Sequence, residues 1–184
     1  MKTELFVLPA VMRRDFTDAF VLTLEELLSL YPTLGEDLLS DGIDPADWYN
    51  AAYLWDKMSP ELPTIPFAEA LTLLRSRQGS VLIMSEAEDT HKPCALRHYG
   101  REICDFVAIV DPEELADTVA CEWRESARPT GKETQPPQAP ILPLDLYVFD
   151  TTLEWVIVFT HESNPAETAD EEGVPSRLCF AFGL

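Results

Sequence analysis

The chain has 184 residues, 46% of them hydrophobic and 25% charged, with a formal net charge of −20. That length fits one domain with a substantial core, and no run approaches the ~18 consecutive apolar residues of a transmembrane helix. The acidic excess disfavours direct binding of nucleic acid or of an anionic membrane surface, because both need Lys and Arg.

The charge is uneven. From Asp15 to Glu69 twelve acids stand against one base, Lys57, whereas seven basic residues fall between Arg75 and Arg128. After Lys132 only Arg177 is basic. The N-terminus, MKTELFVLPAVMRRDF, lacks the order of a signal peptide: Pro9 interrupts its apolar run and Arg13 and Arg14 follow that run. A cytoplasmic protein is expected. Its four cysteines, Cys94, Cys104, Cys121 and Cys179, form no CxxC pair and are expected as reduced thiols.

Glu4 to Ala10 reads as a short strand or an extended lead-in, and Ala19 to Leu22 leads into a helix. Thr23-Leu-Glu-Glu26 is a capping box, so a helix runs from there through Leu30 and stops before Pro32. Leu24, Leu27, Leu28 and Tyr31 share one face of it. Thr33-Leu-Gly-Glu36 repeats the capping pattern and predicts a short helix ending near Asp41-Gly42. Asp44 then caps a third helix, with Pro45 at its first position, that runs to about Met58. It carries Trp48, Tyr49, Tyr53 and Trp55, too many aromatics for one narrow stripe, so some are expected at the surface.

Three prolines make Ser59 to Pro66 a connection. Phe67 to Gln78 predicts a helix with Phe67, Ala70, Leu71 and Leu74 on one side and Gly79 as its stop. Ser80 to Ser85 and Cys104 to Val110 read as strands. Asp111-Pro112 opens a helix to about Ala127. Five prolines between Pro129 and Pro143 predict a mobile loop at 129–143, and a second, acidic loop is expected at 163–176.

The dominant stretch is LDLYVFDTTLEWVIVFTHE, Leu144 to Glu162. It predicts two adjacent strands, the first centred on Tyr147, Val148 and Phe149 and the second running from Leu153 to Phe159. Both parities are apolar from Trp155 to Phe159, which fits a central strand covered on two faces. Arg177 to Leu184 closes the chain as a strand. Helices early and strands late give an α+β fold over 1–184, a single domain with a helical N-terminal half packed on a mainly antiparallel sheet.

Three groups of residues are candidates for chemistry. His91, Cys94, His98 and Cys104 offer two imidazoles and two thiols, the donor set of a tetrahedral zinc site, in an unusual order. The plain alternative, loop residues beside a core cysteine, outweighs it, and no metal or other cofactor is assigned. His161 and Glu162 end the central strand, but adjacent strand residues point to opposite faces. A histidine hydrogen-bonded at the rim of the core is the better reading of His161. The third group is acidic and aromatic: Asp37, Asp41, Asp44, Asp47 and Asp56 with Trp48, Tyr49 and Trp55. Charges that steer and aromatics that anchor are what a protein-binding surface uses. The chain has no GxSxG, P-loop, GxGxxG or HExxH motif, and its seven glycines leave little for a phosphate-cradling loop.

The hairpin residues Tyr147, Asp150, Trp155, Thr160, His161 and Glu162 give a segment that resembles the C-terminal part of small bacterial proteins of unknown function. The segment is about a tenth of the chain. By analogy, such small acidic proteins imply an immunity-type role, neutralising a toxin by binding it. The expectation is therefore a non-enzymatic acidic binding protein with a basic protein partner, a toxin or nuclease domain. A DNA mimic, and a small enzyme or metal protein using His161, His98 and the cysteines, are the alternatives.

Overall fold

The computed structural model describes residues 5–6, 10–58, 63–85, 107–126, 145–164, 166–168 and 174–183. The chain divides into two compact units, Pro9–Leu62 and a second made of Met1–Leu8 with Pro63–Leu184. Helices dominate the first and a sheet the second, which makes the fold α+β with an antiparallel sheet.

The helical unit holds α1 (Ala10–Phe20), α2 (Leu24–Leu30), α3 (Pro32–Ser40), α4 (Pro45–Ala51) and a 3-10 turn, Trp55–Lys57. The capping box forms as expected: the Glu26 amide donates to Thr23 Oγ1 at 3.2 Å, and the Thr23 amide donates to Glu26 Oε2 at 2.8 Å. Hydrogen bonds from the Thr23 backbone, then from its side chain, hold the Glu26 carboxyl below its usual range. Asp44 caps α4 by accepting from the Ala46 amide at 2.8 Å.

Three expectations in this unit are corrected. Helix α3 begins at Pro32, not after Thr33, because proline pre-sets the first helical φ and needs no side-chain cap. Helix α4 ends at Ala51 rather than near Met58, since Ala52 is extended. Asp56 then accepts from the Tyr53 amide at 3.2 Å and shapes the 3-10 turn. Ala19 to Leu22 does not lead into a helix: α1 ends at Phe20, and Val21 and Leu22 separate it from α2. Phe16 and Phe20 lie one turn apart with ring centroids 5.0 Å apart, and the exposed pair Arg14–Asp18 has the same spacing.

Among the described residues the sheet unit has seven strands, in the order β1-β4-β3-β5-β6-β7-β2. They are β1 (Leu5–Phe6), β2 (Thr64–Ile65), β3 (Val81–Ser85), β4 (Val107–Val110), β5 (Leu146–Phe149), β6 (Val156–Ser163) and β7 (Arg177–Phe182). Every pairing is antiparallel. The two-residue strands β1 and β2 form the edges, and such short edges limit pairing with other chains.

Helices α5 (Phe67–Arg75) and α6 (Pro112–Ser126) complete this unit. Asp111 caps α6 through the Glu113 and Glu114 amides at 3.0 and 3.1 Å. One core joins Ala70, Leu71 and Leu74 of α5 and Leu115, Ala116 and Val119 of α6 to Ile83, Val148, Ile157 and Phe159 of the sheet. The register sets Leu146 opposite Phe159 and Val148 opposite Ile157, so these pairs share the helix-covered face. Tyr147, Phe149, Val156 and Val158 alternate with them and are 0% exposed as well. The hairpin is thus central and buried on both faces, as its double apolar parity predicts.

The second hairpin strand starts at Val156 and not at Leu153. Asp150 explains the shift by organising the turn. Its Oδ1 accepts from the Thr152 amide and hydroxyl at 2.9 and 2.6 Å, and Leu153 follows in a left-handed conformation with φ 56°. The turn also meets the end of β7. Gly183 has φ +70°, and a Cβ there would stand 1.8 Å from the Glu154 carbonyl oxygen. Gly42 has a similar φ of +76° with open space around it. Gly183→Ala is therefore expected to lose at least about 1 kcal/mol more stability than Gly42→Ala, the excess being overpacking. Equal losses in urea unfolding would show that β7 and the turn part freely.

The elements expected within 86–106 and 127–144, including the 129–143 loop, lie outside the described residues. Among the described residues, no helix is long and apolar enough to cross a membrane.

Candidate functional site

The helical unit concentrates acid. Between Pro9 and Leu62 the sequence has eleven acidic and three basic side chains. Lys57 is buried, with its ammonium 4.9 Å from the centroid of the Tyr49 ring. The Tyr49 hydroxyl donates to the Leu22 carbonyl at 2.7 Å, and burial, helped by the Glu26 charge, raises its pKa. The Trp55 ring stacks on Tyr53 at 5.8 Å, and Trp48 is half-buried. Asp56 serves the 3-10 turn. These four side chains are thus at least partly engaged in the unit's own structure.

Asp37, Asp41, Asp44 and Asp47 are all exposed. They run from the last turns of α3, across its C-cap, to the first turn of α4. Leu39 and Ile43 lie in the same segment, 65% and 41% exposed. The Ile43 amide donates to the Leu38 carbonyl at 2.8 Å, which folds the chain back over the end of α3. The surface is therefore apolar side chains set between carboxylates. Sequence reasoning picks out the acids and misses Leu39 and Ile43, because a leucine next to the buried Leu38 looks like core. The helical phase is the signal: consecutive residues are turned about 100° apart on a helix.

The sheet unit holds a different arrangement at the far end of the hairpin. Asp145 is 1% exposed. Its Oδ1 accepts from the His161 amide at 2.7 Å, and its two oxygens lie 3.0 and 3.1 Å from His161 Nδ1. Asp145 thus holds both the backbone and the ring of His161. His161 takes the rim position expected of it, while Glu162 is exposed. A register shift in β6 between Phe159 and Ser163 sets this geometry.

Arg177, at the start of β7, is buried beside this pair. Its guanidinium donates to the Thr160 and Phe159 carbonyls and lies 5.2 Å from the Trp123 ring and 5.8 Å from the Phe159 ring. Burial lowers its pKa to about 10, against the opposing influence of Cys179 and Asp145, so it stays charged at neutral pH. Burial likewise pushes the Cys179 thiol up to about 12, which leaves it protonated and unreactive. Sequence reasoning does not connect Asp145 with Arg177. Their only local signal is a charged residue at the start of an otherwise apolar strand.

The zinc candidates His91, Cys94, His98 and Cys104 lie outside the described residues. Among the described residues, no three His, Cys, Asp or Glu side chains gather as a metal site.

Fold and surface together define an antiparallel α+β protein that carries an acidic helical unit. Comparisons with protein family models, curated proteins and solved structures find no match for the chain.

Proposed function

We propose that the chain is a non-enzymatic acidic binding protein that captures a basic protein partner on the α3–α4 segment of its helical unit. The observation that carries this reading is the exposure of Leu39 and Ile43 among Asp37, Asp41, Asp44 and Asp47. Carboxylates steer a cationic partner over long range, and exposed apolar side chains give the contact area that holds it. A cytoplasmic inhibitor of immunity type, closing on a basic toxin or nuclease domain, has these needs. Trp48, Tyr49 and Trp55 contribute by stiffening the segment beneath the surface.

The test separates steering from holding. Asp47→Lys is the cleaner reversal, because Asp44 is also a helix cap. With the partner isolated by affinity capture, Asp47→Lys is expected to slow association about threefold to tenfold at low salt and to flatten its salt dependence. Leu39→Ala is expected to speed dissociation about tenfold instead. Stopped-flow mixing at two salt concentrations reads both rates. An association rate indifferent to salt and to Asp47→Lys would remove this surface as the docking face.

A further inference from the structure

A cleft of about 320 Å³ opens in the sheet unit between α5, α6 and the segment before β7. Its size lies at the lower end of small-molecule sites, which run to about 1,000 Å³. Phe67 and Leu71 of α5, Trp123 of α6 and Val174 make it mostly apolar. The two rings are held in place. The Trp123 indole donates to the Pro175 carbonyl at 2.8 Å, and the Phe67 ring meets Trp123 at 6.4 Å with 59° between planes and Phe159 at 6.1 Å with 88°. The Phe67 and Trp123 rings pack tilted against each other, and together they give the cleft an aromatic wall against which a flat ring can lie.

Two charged side chains line the same cleft, Arg124 and Glu167. They differ in what they are free to do. Glu167 Oε1 accepts from the Asn164 side-chain amide at 2.9 Å, and Asn164 also ties the segment ends together through the Ser176 carbonyl at 2.7 Å. Glu167 is thus committed to the turn. Arg124 is exposed and pairs with no carboxylate among the described residues, whereas Arg75, the exposed base of α5, holds Asp117 at 2.8 Å. The cleft therefore combines an apolar body with the exposed Arg124 guanidinium, which has no carboxylate partner among the described residues.

The geometry points to a binding site for a small aromatic monocarboxylate, its ring against Phe67 and Trp123 and its carboxylate on Arg124. A guanidinium recognises a carboxylate by paired, charge-assisted hydrogen bonds. The net charge of −20 opposes any anion at long range. Selectivity must then come from Arg124 at contact distance, where a single pair outweighs distant, screened charges. The site is independent of the acidic docking surface.

Three probes with one body and three heads decide it: 3-phenylpropionate, 3-phenylpropanol and 3-phenylpropylamine, titrated into the full chain and followed by the Trp123 indole NMR signal. The carboxylate is expected to bind about tenfold tighter than either of the others, the effect of one charge-assisted contact at a partly exposed site. Arg124→Gln is expected to reduce the carboxylate to the affinity of the alcohol. Arg124 is exposed, so this change leaves the core intact. Ala68→Trp, on the exposed rim, is expected to fill the cleft and abolish binding of all three, with an unchanged unfolding midpoint. An amine as tight as the carboxylate, a preference that survives Arg124→Gln, binding that survives Ala68→Trp in a folded protein, or no binding at about 10 mM would each overturn the assignment.

Discussion

Replacing Trp155 by alanine is expected to cost about 3–5 kcal/mol, the range for deleting a large aromatic from a core. The side chain is 6% exposed and belongs to the cluster that joins α5 and α6 to the sheet. Three separate contacts go with it. The indole ring leaves a cavity in that cluster, the Arg77 guanidinium loses the face it covers at 4.6 Å, and Asp150 Oδ2 loses the indole donor at 2.8 Å. The last of these loosens the turn that sets the register of β5 against β6. Burial disfavours the Asp150 charge, but hydrogen bonds from Thr152, Trp155 and Leu153 outweigh it and hold the carboxyl below its usual range. A depressed folded-state pKa contributes stability that is present above the unfolded value and is lost as pH falls through the folded value. Part of the stability that depends on Trp155 should accordingly disappear in acid. Urea unfolding at neutral pH, with an unchanged slope, measures the whole effect. A loss below about 1 kcal/mol would place Trp155 outside the core and undo the central position of the hairpin.

The parts of this fold that are legible in the sequence are those fixed by local pattern. Thr23 with Glu26, Asp44 with Pro45, and Asp111 with Pro112 each cap a helix, because capping needs only residues a few positions apart. The continuous apolar runs around Tyr147 and Ile157 show the buried strands, because both faces of a central strand must be apolar. What depends on distant partners is not legible. Leu153 to Trp155 go to a turn rather than to β6 because Asp150 binds Thr152 and Trp155. Helix α4 stops early because Asp56 takes the Tyr53 amide. The acids of the docking surface are plain from composition, but Leu39 and Ile43 are not, since exposure depends on how α3 lies on its neighbours. Arg177 and Asp145 are 32 positions apart in the sequence, and no periodicity links them.

That buried arginine gives the other large effect. Arg177→Met keeps much of the side chain's length and apolar stem while removing its charge and its donors. The Thr160 and Phe159 carbonyls then lose their guanidinium partner, and a positive charge is removed from beside Asp145, which is 1% exposed. Removing a buried guanidinium that serves two carbonyls beside a buried carboxylate is expected to cost about 3–5 kcal/mol, because the groups left behind stay desolvated. Asp145 supplies the control. Asp145→Asn removes the opposite charge, and its amide oxygen can still accept from the His161 backbone. Combined with Arg177→Met, it leaves no lone buried charge. The double variant should be less destabilised than the sum of the two single variants by at least about 1 kcal/mol. Strict additivity in denaturant unfolding, or an Arg177→Met loss below about 1 kcal/mol, would mean that Arg177 and Asp145 are solvated separately. A positive coupling would identify the ends of β5, β6 and β7 as one electrostatic unit, in which Arg177 balances the carboxylate that orients His161.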